Sequence, residues 1–285
     1  MKIAYDNKLR LNHNNKARLS QINEILEDYR RQGYRLTLRQ LYYQLVSRDV
    51  IPNDDTEYKK LSNILKKGRL AGIVDWDSIE DRIRKPQLPY WVYGPKDAIK
   101  DTIKQYRLNR MKGQDNKIEV WVEKDALSAV LARVTRQYHV RLMVNRGYSS
   151  ITAMHDAAQR LETGDTILYF GDHDPSGLDM IRDIDERLQI FGVYADVVPV
   201  ALTMKQIRKF NPPPNPAKIK DPRAKWYIDK YGPTSWELDA LPPQELTKLV
   251  EKEIKKRIDL DLYENQIAQE EQDVKQLKSF YDEEE

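Results

Sequence analysis

The chain has 285 residues, 40% hydrophobic and 33% charged, with a net charge of +3. That is enough apolar material for one large or two modest domains, and no run approaches the length needed to span a bilayer. There is no cysteine, which excludes disulfides, thiolate chemistry and cysteine-ligated zinc or iron–sulfur sites; the opening residues also lack the apolar core of a secretory signal.

Charge is unevenly placed. Residues 1–112 carry 24 Lys/Arg against 14 Asp/Glu, and residues 261–285 carry 2 against 9. A basic front with an acidic end is compatible with a polyanion-binding protein and equally with ordinary solvated helices.

In chain order, "KARLSQINEILEDYRRQG" repeats Leu19, Ile22, Ile25, Leu26 and Tyr29 at helical spacing, and Gly33 ends the run. "RLTLRQLYYQLVSRD" follows, with Thr37 and Gln40 placed for a capping box. "EYKKLSNILKKGRLAG" predicts a third helix with Tyr58, Leu61, Ile64 and Leu65 on one face, and "IVDWDSIEDRIRKP" reads as a short extended piece. Three helices and a small β element suit a winged-helix module. "RKPQLPYWVYGP", from Arg84, reads as an ordered linker, followed by a polar helix from Lys96 to Met111.

From residue 117 the rhythm changes. "KIEVWVEK", "VRLMVNR", "TILYFGD" and "ADVVPVAL" read as strands, separated by "ALSAVLARVTRQY", "SSITAMHDAAQRLETG" and "GLDMIRDIDERLQIFG" as helices. This alternation predicts right-handed βαβ units and a parallel sheet. A proline-rich loop, "YGPTSWELDALPP", an amphipathic helix over Gln244–Ile258 and a polar acidic end complete the chain.

In an open parallel sheet, sites form beyond the carboxyl ends of the strands. Glu123 follows one predicted strand, and Asp172 and Asp174 follow another in "GDHDPSG". Pro175 can open a helix, and Gly177 leaves room where a ligand would approach. Three carboxylates at one edge repel unless a cation neutralises them, and hard oxygen donors suit magnesium. There is no phosphate-binding Gly-rich loop of the P-loop or dinucleotide type, and the four histidines lack metal-ligand spacing. In "TLRQLYYQLV", Leu38, Leu41, Tyr42, Leu45 and Val46 form one helical stripe. Tyr43 lies about 100° further round beside Arg39, which predicts the freer phenol and a guanidinium that favours its ionised form.

"LRQLYYQLV" resembles the catalytic-tyrosine motif of the A subunit of DNA topoisomerase VI and its meiotic double-strand-break relative. "VEKDAL", "NRGYSS" and "GDHDPSG" resemble, in order and spacing, segments of that family's Toprim domain, so the likeness covers about residues 35–200. It implies an α/β chain with an N-terminal winged-helix (CAP-like) domain and a Toprim, Rossmann-like domain with a mostly parallel sheet. The implied division is 1–85 winged helix with the tyrosine, 86–115 linker and helix, 116–260 Toprim, and 261–285 acidic tail. The resemblance also implies Tyr43 as nucleophile, Arg39 as catalytic arginine, and Glu123, Asp172 and Asp174 as Mg²⁺ ligands. The expected activity is Mg²⁺-dependent, type IIB cleavage of double-stranded DNA by a homodimer, the tyrosine of one protomer acting at the metal site of the other. A separate ATP-binding B-type subunit and a cytoplasmic, nucleoid-associated location go with it. Lys59, Lys60, Lys66, Lys67 and Arg69 on the third helix are the candidate DNA contacts, with Lys218, Lys220, Arg223 and Lys225 as a weaker second set. The proline-rich segment and "WELDALPP" map onto no part of that active site. Two rival functions use the same residues: a Toprim-type nuclease acting through metal-activated water, and a DNA-binding module without catalysis.

Overall fold

Apolar stripes at helical spacing assemble the N-terminal part. The computed structural model describes residues 2–6, 9–80, 89–219 and 221–282. Helix α1 (His13–Arg31) starts where Asn12 accepts the Asn15 N–H at 2.8 Å, and it buries Leu19, Ile22, Ile25, Leu26 and Tyr29. Helix α2 (Leu38–Ser47) carries the expected Thr37–Gln40 capping box, and α3 (Asp55–Leu70) is capped by Asp54. The three helices share one core. Gly68 permits the close crossing of α3 on α1, because a Cβ there would lie 2.5 Å from Leu19 Cδ2.

The segment after α3 is not extended as predicted. Asp75 accepts the Asp77 N–H at 2.8 Å and winds Trp76–Ser78 into a 3-10 turn. Around it, the described residues show only isolated bridges, Ala4 to Ala71 and Leu36 to Ile79. Residues 81–88, which include the predicted start of the linker, lie outside the described residues. Helix α4 (Pro95–Gln105) stops short of the predicted Met111. Past it, Glu270 takes the Leu108 N–H at 3.0 Å and Arg110 at 2.8 Å, drawing the chain away from the helix.

The sheet has four strands, all parallel: β1 (Ile118–Val122), β2 (Arg141–Val144), β3 (Thr166–Phe170) and β4 (Asp196–Ala201), in the order β2-β1-β3-β4. Helices α5 (Ser128–Gln137), α6 (Ile151–Arg160) and α7 (Pro175–Ile190) make the crossovers, as the alternation predicted. Beyond the sheet come α8 (Met204–Phe210), the two-residue strands β5 (Asn215–Pro216) and β6 (Thr234–Ser235) flanking α9 (Ala224–Tyr231), a 3-10 turn at Leu238–Ala240, α10 (Pro243–Lys255) and α11 (Leu260–Asp282). Side chains alternate across the sheet. Val120, Val122, Leu168 and Phe170 pack with α5 and α10, while Trp121, Ile167 and Tyr169 pack with α6 and α7. Strand order reverses direction between β1 and β3, so loops leaving these two strands diverge and a crevice opens at their carboxyl ends.

The described part of the predicted acidic tail lies in α11, and its Glu270 is buried against Arg110. The N-terminal helices dock on the sheet-bearing part through α2 and the 238–240 turn, and Tyr34 meets Thr247 at 3.0 Å. Among the described residues no helix is long and apolar enough to cross a membrane.

Candidate active site

The crevice between β1 and β3 receives the predicted acids. Val122 is in register with Phe170, which sets Glu123 opposite the turn that follows β3. Glu123 Oε2 accepts the Asp172 N–H at 3.0 Å. Burial pushes the Glu123 carboxyl above its usual range, and the negative charges of Asp174 and Glu237 add to that. Asp172, 6% exposed, is raised well above the ordinary value by burial, with Glu123 and Glu237 reinforcing the effect. Asp174 caps α7, where Oδ1 accepts from Gly177 N–H at 2.6 Å and from the Ser176 hydroxyl at 2.9 Å. Its Oδ2 faces Lys218 at 3.9 Å.

Gly177 has a different reason from the one expected. A Cβ there would sit 2.3 Å from the Asp172 carbonyl oxygen, so the glycine clears space for the turn itself.

The segment that mapped onto nothing supplies two further acids. Trp236 pairs with His173 in both directions, N–H to O at 2.9 and 3.0 Å, laying the "WELD" strap along the Asp172–Asp174 turn. The Leu238 N–H then donates to Asp172 Oδ1 at 2.8 Å. Buried His173 holds this strap in place among Tyr227, Tyr231 and Trp236, with Nδ1 at 2.8 Å from the Tyr227 hydroxyl. The strap presents Glu237 and Asp239 to two cations.

Lys124, also unforeseen, is the first. Its Nζ lies 2.6 Å from Asp172 Oδ2 and 3.3 Å from Asp239 Oδ2, and it contacts Glu237. Burial works against its charge, but the three carboxylates outweigh burial and raise its pKa. Arg39 is the second, donating Nε to Asp239 Oδ2 at 2.7 Å and a terminal NH to Glu237 Oε2 at 2.8 Å. Its guanidinium carbon stands 5.4 Å from the Tyr43 ring centroid. Charge therefore alternates from Asp172 through Lys124, Glu237 and Asp239 to Arg39, which faces the neutral Tyr43 ring. Asp239 is 1% exposed, and among the described residues its Oδ1 has no partner.

Tyr43 does not stand out into solvent. It is 6% exposed against 5% for Tyr42 and packs edge-on against Tyr42 at 5.2 Å. A helical wheel places Tyr43 off the core stripe, but it contains no term for the strap and the 215 region that close over α2. Burial, then Glu237, push its pKa up to about 12, and Arg39 offsets only part of this. Tyr43 lines a cavity of about 450 Å³ with Arg39, Asn53, Tyr58 and Asn215. Glu123, Asp172 and Asp174 do not line that cavity; the Arg39–Glu237–Lys124 ladder stands between.

The basic residues of α3 separate. Lys60 pairs with Glu57 at 2.8 Å, Lys66 and Arg69 line a groove beside α2, and Lys59 and Lys67 point to solvent. In the weaker second set, Arg223 binds Asp179 and Asp221, and Lys220 lies outside the described residues.

Glu123, Asp172 and Asp174 suit a divalent ion by chemistry: all three offer hard oxygen donors at one sheet edge, and neighbouring acids add to the desolvation of half-buried Glu123 and buried Asp172. As they stand, no three acidic or histidine side chains among the described residues converge on one point, and an entering ion competes with Lys124 for Asp172 Oδ2.

The fold and the site together define an α/β chain with an acidic, lysine-bridged crevice at the switch point of a parallel sheet. No family model matches the chain, and neither a curated protein nor a solved structure matches it.

Proposed function

We propose that this chain cleaves double-stranded DNA by Mg²⁺-dependent tyrosine transesterification, in the manner of the topoisomerase VI A subunit. The single observation that carries this is the contact of Glu123 with Asp172 at the switch point, joined by an ion ladder through Lys124, Glu237 and Asp239 to Arg39, whose guanidinium faces the Tyr43 ring. On this reading helices α1–α3 are a winged-helix module and the four-stranded sheet is a Toprim domain.

The Tyr43 oxygen attacks a backbone phosphorus as the bond to the deoxyribose 3′ oxygen breaks. The phenol loses its proton, the 3′ oxygen gains one, and a 5′-phosphotyrosyl link remains. Arg39 offsets charge on the pentavalent phosphorus. Glu123, Asp172 and Asp174 are the residues that would hold magnesium, which would supply Lewis-acid neutralisation of phosphate charge. Tyr43 at about 12 is mostly protonated near neutral pH. Moving Glu237 away removes an acid that raises the phenol, while Arg39, still held by Asp239, continues to lower it. One tyrosine cuts one strand, so a double-strand break takes a homodimer. The ladder that separates Tyr43 from its own acids favours attack on a phosphate held by the partner protomer. Strand passage would further require a separate ATP-binding chain.

The test is incubation with end-labelled duplex and Mg²⁺, followed by denaturation and protease digestion. Wild type leaves peptide on 5′ ends, Tyr43→Phe leaves none, and Arg39→Ala lowers the yield by roughly 10²–10³-fold. The burial of Tyr43 favours one alternative, a metal-dependent nuclease using activated water. Free ends produced equally by wild type and Tyr43→Phe would establish that alternative instead.

A further inference from the structure

A groove of about 640 Å³ runs between α3 and the start of α2, with Trp76 at one side and Asp125 and Ala126 of the sheet-bearing part at the other. Its floor is apolar, built from Leu38, Leu65, Leu70 and Ile79, and its rim carries Arg39, Lys66 and Arg69. Arg39 belongs also to the ion ladder, so the groove leads directly to the candidate site.

Arg69 is the informative residue. Its guanidinium lies 4.5 Å from the Trp76 ring centroid, and a terminal NH donates to the Trp76 carbonyl at 2.8 Å. Its Nε is buried without a partner, and among the described residues it has no ion pair with a carboxylate. Leaving a buried guanidinium N–H unmatched is costly, so the position calls for an anion. Lys66 is exposed beside it, likewise without an ion pair among the described residues. Among the described residues the acids lining the groove are Glu80 and Asp125, the latter paired with Arg146 at 3.5 Å; Asp75 and Asp77 act on Arg69 through their charge but neither forms an ion pair with it among the described residues.

An apolar floor with aromatic walls below a cationic rim fits a flat base joined to a phosphate. The volume lies within the range of small-ligand clefts, roughly 300–1,000 Å³, which takes one or two unstacked nucleotides and not a paired helix. Resting on the DNA-cleaving reading, we propose that this groove seats an unpaired stretch of the nucleic-acid substrate, a phosphate on Arg69 and Lys66 and a base on the floor between Tyr58 and Trp76. The strand cut at the site is then locally opened beside it.

The test is fluorescence anisotropy of a labelled twelve-nucleotide single strand and of its duplex, on the full chain carrying Tyr43→Phe, in EDTA. Neither tyrosine chemistry nor metal enters this readout, so it stands or falls independently of cleavage. The single strand is expected to bind more tightly than the duplex. Lys66→Gln with Arg69→Leu should weaken it by at least tenfold and flatten the slope of log affinity against log salt by about 1.4, as two lost phosphate contacts on a single strand require. Lys66→Glu alone, a change at an exposed position, should give a smaller loss in the same direction and guards against misfolding at Arg69. Lys59→Gln with Lys67→Gln, two candidate contacts of the same helix that lie outside the groove lining, should weaken single-strand binding less than Lys66→Glu does. Tighter duplex binding, or equal losses from the two sets of lysines, would overturn the groove in favour of general electrostatic attraction along α3. So would single-strand affinity unaltered by Lys66→Glu.

Discussion

Glu237 lies between two cations. Burial alone would raise its carboxyl, yet Lys124 and then Arg39 bring it down to about 2. In the unfolded chain the same group titrates near 4.3. A folded pKa below the unfolded one contributes stability that is present above about 4.3 and is lost as pH falls towards 2. A shift of this size corresponds to on the order of 3 kcal/mol, shared with the partners that cause it. Glu237→Gln should therefore lower Tm at pH 7, and the gap from wild type should narrow as pH falls from about 4 towards 2. A gap that stays constant with pH would show that the ladder does not carry this energy. Tyr43 owes its surroundings to both near and distant residues. Its place beside Arg39 followed from helical geometry. Its burial did not, because that depends on Glu237 and Asn215, which are close only after folding.

At the scale of elements, the α7 N-terminus sets the site. The turn after β3, the Asp174 cap and the start of the helix are packed so tightly that Gly177 abuts the Asp172 carbonyl. Gly177→Ala should push Asp172 away from Glu123, costing about 1–3 kcal/mol as overpacking does, and should reduce cleavage more than it reduces DNA binding. A urea titration with parallel binding and cleavage assays checks this; a variant with wild-type stability and activity would mean that the turn relaxes freely. Local signals made much of the scaffold legible. Capping at Thr37–Gln40, the stripe of α1 and the strand–helix alternation all act within a few residues. The strap was illegible for the opposite reason. Arg39 meets Asp239 across 200 positions of sequence, and Lys124 meets Glu237 across 113. No spacing rule reaches that far, so "WELDALPP" carries no local sign that it belongs to the site.

For the whole molecule, the arrangement couples two parts. The N-terminal helices reach the sheet through Arg39 and the strap, so the tyrosine and the acids are held in one framework. A double-strand cut requires two such frameworks, and light scattering after size exclusion should give about twice the 33.6 kDa chain mass at micromolar concentration, with or without DNA. A monomer that forms breaks in both strands would remove the need for symmetry. The acids at the ends of β1 and β3 carry the central claim, because the proposed phosphate chemistry would need a divalent ion there. Electron paramagnetic resonance titration with Mn²⁺ measures this without any reaction. One site per chain should bind manganese, and Glu123→Gln with Asp172→Asn should abolish it while the fold, read by circular dichroism, persists. If the unsubstituted chain leaves all manganese free, or the doubly substituted chain binds it equally well, the crevice is not a metal site and the cleavage mechanism falls.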